Sequence, residues 1–192
     1  MKKLFLFIAF VFGTFAVSAQ SLSLDVKKSS IEWTGKKVGG QHNGHINFAS
    51  GELVFKGDVV TGGNFVVDMK SISNVDIKDE GTNATLVGHL KSDDFFGVDN
   101  YPVAKLVIDK GTKSGSDYSF TGKLTIKDIT NPVIFKAKLE KGDNGAKVFK
   151  GQLVVDRSLY NVRYGSGKFF SNLGDNLIYD DFSLDFKVVL NK

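Results

Sequence analysis

From about Ser30 onward, apolar and polar residues alternate with a period of two, and Gly, Asn and Asp fall at the breaks. Such alternation puts successive side chains on opposite faces of a strand, one buried and one wet. In the last segment Phe182, Leu184, Phe186, Val188 and Leu190 share one face, and Ser183, Asp185 and Lys187 share the other. The runs flanking Asn131-Pro132 behave alike. Tyr118, Phe120, Leu124 and Ile126 oppose Ser119, Thr121, Lys123, Thr125 and Lys127, while Val133, Phe135, Ala137 and Leu139 alternate with Lys136 and Lys138. This predicts a hairpin turning near Thr130 to Pro132. Shorter rows lie at Ile31 and Trp33, at Leu53 and Phe55, at Phe65, Val67 and Met69, at Ala104, Leu106 and Ile108, and at Phe149, Leu153 and Val155. Together they predict about eight strands. Such strands can close into an up-and-down barrel or stack as a sandwich; closure removes free edges, but the pattern leaves both open.

One segment departs from the alternation. Between about Thr82 and Val98, Leu86, Val87 and Leu90 recur at helical spacing, followed by Phe95-Phe96. A short helix is expected there, lying across the sheet or over a barrel mouth, where its apolar side finds a partner. No repeat, Pro-rich linker or low-complexity tract interrupts the chain.

The N-terminus has its own pattern: Met1-Lys2-Lys3, an apolar run from Leu4 to Val17, then Val17-Ser18-Ala19 before Gln20. That order predicts a secretory signal peptide over residues 1–19 with cleavage after Ala19, and a single domain over residues 20–192. The apolar run is shorter than the roughly 20 residues of a spanning helix. Without Cys the chain can carry neither a lipidated cysteine, a disulfide nor a thiolate metal site. Removing the signal leaves 23 basic against 21 acidic residues. So small and scattered an excess gives no footprint for nucleic acid. Five of the 17 Phe lie in the signal, which leaves 12 large rings for one modest domain.

Two segments are similar to a known family. Leu90-Lys91-Ser92-Asp93-Asp94-Phe95-Phe96-Gly97-Val98-Asp99-Asn100-Tyr101-Pro102-Val103-Ala104 and Gly122-Lys123-Leu124-Thr125-Ile126-Lys127-Asp128-Ile129-Thr130-Asn131-Pro132-Val133 resemble the two signatures of the YceI family. The order of elements fits from about Leu24 to Leu190. The resemblance implies an all-β fold outside the cytoplasm: an eight-stranded antiparallel lipocalin-like barrel, with the short helix near residues 82–98. It further implies a polyisoprenoid or similar long-chain lipid in the lumen, and often a homodimer. Where the family commonly has Arg-x-Asp-Phe-Gly, this chain has Arg157-Ser158-Leu159-Tyr160-Asn161, keeping the arginine without the carboxylate or glycine.

The interior of a small barrel is just wide enough to be filled or to hold one ligand. If it holds one, its apolar walls are expected at Trp33, Phe55, Phe65, Val67, Phe120, Leu124, Phe135, Leu153, Phe182, Leu184 and Phe186. Arg157 extends the parity of Phe149, Leu153 and Val155. At a rim it could meet a phosphate or quinone oxygen; alternatively the strand ends before it and the guanidinium pairs with a carboxylate. Lys37 shares the parity of Ile31 and Trp33, but the glycines after it suggest a loop. His42 and His45, three apart, point to opposite faces of a strand, and His89 lacks carboxylates at metal-ligand spacing, so no metal or other cofactor is expected. Neither Gly-x-Ser-x-Gly nor a Walker loop is present, and Asn83-Ala84-Thr85 matches a glycosylation triplet that is common by chance. Taken with what the family resemblance implies, the chain reads as a periplasmic or secreted binding protein for an isoprenoid or other long-chain lipid rather than an enzyme. Two alternatives remain: an enzyme using His89 or His42 with Asp93 or Asp94 on a barrel-bound lipid, and a structural domain with a filled core.

Overall fold

The computed structural model describes residues 18–191; apart from Ser18 and Ala19, the expected export signal lies outside them. Nine strands occupy eight lanes of a closed antiparallel barrel. They are β1 (Ala19–Leu24), β2 (Ser30–Lys37), β3 (Gly40–Lys56), β4 (Val59–Asp68), β5 (Val103–Ser114), β6 (Asp117–Ile126), β7 (Ile129–Lys141), β8 (Lys147–Asp156) and β9 (Ile178–Asn191). Each of β2 to β9 pairs with its chain neighbour, and β2 also pairs with β9, which closes the ring. β1 and β2 share one lane between β3 and β9: Ser21 opposes Val54 of β3, and Trp33 opposes Gly44 farther along the same strand. The break between them is an Asp25 turn, in which the Lys28 amide donates to Asp25 Oδ1 at 3.2 Å and the Ser29 hydroxyl to the Asp25 carbonyl at 2.7 Å.

Alternation sets the inward face, and bulges move it. In β3 the inward set changes from Ile46 and Phe48 to Leu53 and Phe55 across a register shift between Phe48 and Ser50. In β5 a shift between Ile108 and Lys110 brings Gly111 inward after Ile108. An added residue unpairs one position and reverses the parity beyond it.

The β6–β7 turn falls at Lys127–Asp128, earlier than expected, with φ of 48° and 59° at the two residues. Two left-handed central residues give the tight turn whose twist suits a hairpin. Pro132, expected in the turn, lies within β7 opposite Lys123. It is tolerated because β7 pairs with β8 only from Lys136 onward, so its missing N–H faces no partner strand on that side.

The two ends of the barrel differ. At one, Phe55, Val60, Tyr118, Phe149 and Leu190 are at most 2% exposed and form a floor, and the Tyr118 hydroxyl donates to the Asp58 carbonyl at 2.8 Å. At the other lie the long connections, residues 69–102 and 157–177. The first contains α1 (Glu80–Lys91), N-capped by Asp79, which accepts from the Thr82 amide at 2.8 Å. The helix ends at Lys91; the remainder of the stretch expected to be helical, through Val98, is a looped lid bearing Phe95 and Phe96. No helix among the described residues is long and apolar enough to cross a membrane.

Candidate functional site

Inside the barrel lie two adjoining cavities. The upper one, about 180 Å³, is lined by Trp33, Met69, Phe96 and Phe182 among others; the deeper one, about 90 Å³, by Phe48, Phe65, Phe135 and Phe186. Ile31, Val67, Leu124 and Leu184 line both, so they form the waist of one lumen. Trp33, Val67, Phe135, Phe182, Leu184 and Phe186 have inward parity yet are only half-buried. Their remaining exposure is toward the lumen, whereas a filled core would bury them fully. All the expected wall residues border these cavities except Phe55, which stacks on Phe149 in the floor with ring centroids 6.5 Å apart.

Glycine shapes the lumen in a way that alternation did not reveal. Gly51, Gly111 and Gly151 pair across strands with Phe65, Phe120 and Phe186. A Cβ on each would lie 2.4, 2.6 and 2.8 Å from a carbon of that ring. These rings therefore lie flat over their neighbours' backbone, leaving the axis of the barrel open. Gly44 plays a related part at the mouth, where a Cβ would stand 1.9 Å from the Ser73 carbonyl oxygen. That close approach lets Ser73 and Val75 bond to the β3 carbonyls of His45 and Asn43 at 3.0 and 3.1 Å, beyond the reach of β4. The Ser73 carbonyl in turn accepts from Trp33 Nε1 at 3.0 Å, which fixes the indole in the wall.

Ionisable groups gather only at the mouth. Lys36, Lys37, His42 and Arg157 border the upper cavity, and no carboxylate does among the described residues. His42 Nδ1 lies 2.8 Å from Asp76 Oδ2. Burial alone would raise the Asp76 pKa, but the Asn43 amide, His42 and Asn74 outweigh it and hold the carboxyl at about 2. His42 thus faces a carboxylate that stays ionised, and Asp76 was not among the expected partners. His89 instead meets Asp94, at 3.4 Å, and its ring touches Phe95 and Tyr164. His45 opposes Glu32 on the outer face. No group of three or more His or acidic side chains among the described residues could hold a metal ion.

β8 ends at Asp156, and Arg157 opens a short 3₁₀ turn with only 4% of its surface exposed. Its Nε donates to the Tyr179 carbonyl at 3.2 Å, Nη1 to Val162 at 2.9 Å and Nη2 to Ile178 at 3.0 Å. Nη2 also stands 3.5 Å from Asp180 Oδ1, an ion pair without an aligned hydrogen bond. Burial lowers the guanidinium pKa and Asp180 opposes that shift. The side chain borders the cavity while most of its donors tie β9 to the connection after β8. Phe95 and Phe96, which cover the mouth, were not among the expected wall residues, although they were read as the end of a segment lying across the sheet or over the mouth and as part of a family signature. Phe96 meets Phe182 edge-on at 6.3 Å, and Lys127 Nζ holds the lid by donating to the Phe95 carbonyl at 2.8 Å.

The YceI-like domain family matches residues 22–190. A UPF0312 protein of Photorhabdus laumondii is 43% identical over 51 residues, a match covering 27% of this chain and 27% of that relative. A UPF0312 protein of Shewanella denitrificans is 30% identical over 126 residues, 64% of this chain and 63% of its own. The matches to these relatives thus span from about a quarter to under two thirds of their length. Among solved structures, BcnA of Burkholderia cenocepacia superposes with a TM-score of 0.70 at 22% identity, covering 86% of this chain and 98% of its own. A polyisoprenoid-binding domain from Saccharophagus degradans, implicated in plant cell wall breakdown, gives 0.67 at 16% identity over 88% and 97%. At these identities the likeness is one of fold.

Proposed function

This chain belongs to the YceI-like family, and from that premise we propose that it is a non-enzymatic carrier that holds an isoprenoid or similar long-chain lipid in its barrel. The observation that carries the reading is the apolar lumen, closed below by the floor and bordered by inward rings that remain half-accessible. Apolar walls suffice to bind a tail, since burial contributes about 25 cal/mol per Å² before the entropy of association is subtracted. The wall residues are Trp33, Phe65, Val67, Phe120, Leu124, Phe135, Leu153, Phe182, Leu184 and Phe186, with Phe55 supporting them from beneath. The tail points to the floor and the polar head to the mouth, near Lys37, His42 and Arg157. The domain is exported by residues 1–19 and works in the periplasm or outside the cell, alone or as a homodimer. The ligand class is also that of the Saccharophagus degradans domain, a polyisoprenoid-binding one of the same fold.

Native mass spectrometry of protein purified from its own host tests the proposal, which expects a bound long-chain lipid. A folded variant Phe135→Asp or Phe186→Asp is expected to lose lipid uptake, because a carboxylate in the apolar lumen has no partner. Ligand-free native protein, or unchanged uptake by both folded variants, would count against it.

A further inference from the structure

The rim of the mouth bears a feature that holding a lipid inside the barrel does not require. The connection from β8 to β9 leaves Tyr164, Phe169 and Phe170 exposed by 45, 37 and 49%, and Tyr179 at the start of β9 by 49%. Single exposed apolar residues are ordinary on a protein surface, but a cluster of large rings around an opening marks an interaction site. Here the backbone holds the rings outward. Ser166 is fully buried, its carbonyl accepts from the Phe169 and Phe170 amides at 3.1 and 3.0 Å, and its hydroxyl accepts from the Lys168 amide at 3.2 Å. The Arg163 guanidinium stands 4.5 Å from the centre of the Phe169 ring.

Acids lie on this part of the rim too: Arg163 and Lys168 accompany Asp175 in the 161–177 connection, and Asp180 and Asp181 follow Tyr179, so it is the bases without an ion-pair partner that count. The Val38 amide donates to the Leu177 carbonyl at 3.0 Å, which brings alongside it the β2–β3 hairpin with Lys36 and Lys37. Lys168 pairs with Asp156 and Arg157 with Asp180, whereas Lys36, Lys37 and Arg163 enter no ion pair among the described residues.

We propose that this aromatic and basic rim docks the barrel, mouth first, on an anionic lipid bilayer. Aromatic rings with polar or cationic neighbours favour the headgroup layer. Each basic residue near an anionic surface strengthens partition about fivefold. Position gives the contact its purpose: Tyr179 borders the upper cavity, and the Tyr164 ring lies 5.4 Å from Phe95 of the lid. A tail leaving the bilayer at this face enters the lumen without crossing water. The inference rests on the carrier reading, and its test separates the two.

Sedimentation with phosphatidylglycerol vesicles, and with phosphatidylcholine vesicles, measures docking; uptake of solubilised fluorescent farnesol measures the lumen. With Asp175 and Asp181 set against Lys36, Lys37 and Arg163, a net of one unpaired positive charge, wild-type protein is expected to partition about fivefold more strongly onto phosphatidylglycerol. Phe169→Ser with Phe170→Ser, and separately Arg163→Glu, should each weaken that partition, the first on the order of tenfold, with farnesol uptake unchanged, since none of these residues borders a cavity. Should the double variant fail to fold, Phe170→Gln at its half-exposed site serves the same comparison. Docking is overturned if wild-type protein takes up farnesol yet ignores phosphatidylglycerol vesicles, which would point to a protein partner. Equal partition of the folded variants and wild type overturns it too. Absent farnesol uptake by wild type defeats the carrier reading instead, whatever the vesicles show.

Discussion

Arg157 makes three hydrogen bonds to backbone carbonyls on β9 and on the connection that precedes it and faces Asp180, so its loss leaves buried acceptors on several segments at once. Arg157→Ala is therefore expected to lower the unfolding free energy by about 3 kcal/mol, read by urea denaturation. Arg157→Lys should recover only part of this, because an ammonium cannot span the same fork of acceptors. A stable Arg157→Ala protein with weakened lipid uptake would instead make the residue chiefly a head-group contact. The parity of Arg157 was legible in the sequence, but Arg157 lies past the end of β8, where strand parity does not apply; the arrangement found is the alternative, a strand ending before it and the guanidinium facing a carboxylate, Asp180. Pattern alone did not choose between the two, because a strand end depends on which partner carbonyls are within reach. For the same reason Asp76 went unnoticed beside His42: the two lie 34 positions apart and are joined by the path of the chain over Gly44.

Among the elements, most of the strands and the helix could be expected from the pattern and the closed barrel from the family resemblance, whereas β1 and the first half of β3 were missed and the other corrections cluster where one residue is added or a turn is chosen. Bulges in β3 and β5 reverse parity without any mark in composition, and Pro132 looked like a turn because its lack of a β8 partner is a three-dimensional fact. The inward glycines belong to the same class. Their meaning emerges only when the ring opposite each is known. Gly111→Ala would press a methyl group onto Phe120, 2.6 Å away, and onto Val60 Cβ at 3.0 Å. Overpacking of that kind costs about 1–3 kcal/mol, and here it should also tip the Phe120 ring toward the deeper cavity. The expected outcome is a lower thermal midpoint with weaker binding of long tails. Unchanged stability would mean that the Phe120 ring turns away freely.

At the scale of the whole molecule, the barrel has one closed end and one end covered by lid, hairpin and aromatic rim, so entry and exit share a single route. On the carrier reading, a tail would go in first and come out last. The floor of Phe55, Tyr118 and Phe149 then acts as a stop, and the distance from floor to rim becomes a gauge of chain length. Across a series of isoprenoid alcohols, affinity measured by competition is expected to rise with each added unit until the tail touches the floor, then level off. A series that climbs without limit, or shows no dependence on length, would place the stop elsewhere. On the carrier reading, these three aromatic residues, at the end of the barrel away from the mouth, would decide how much of a cargo stays outside the protein and within reach of whatever receives it.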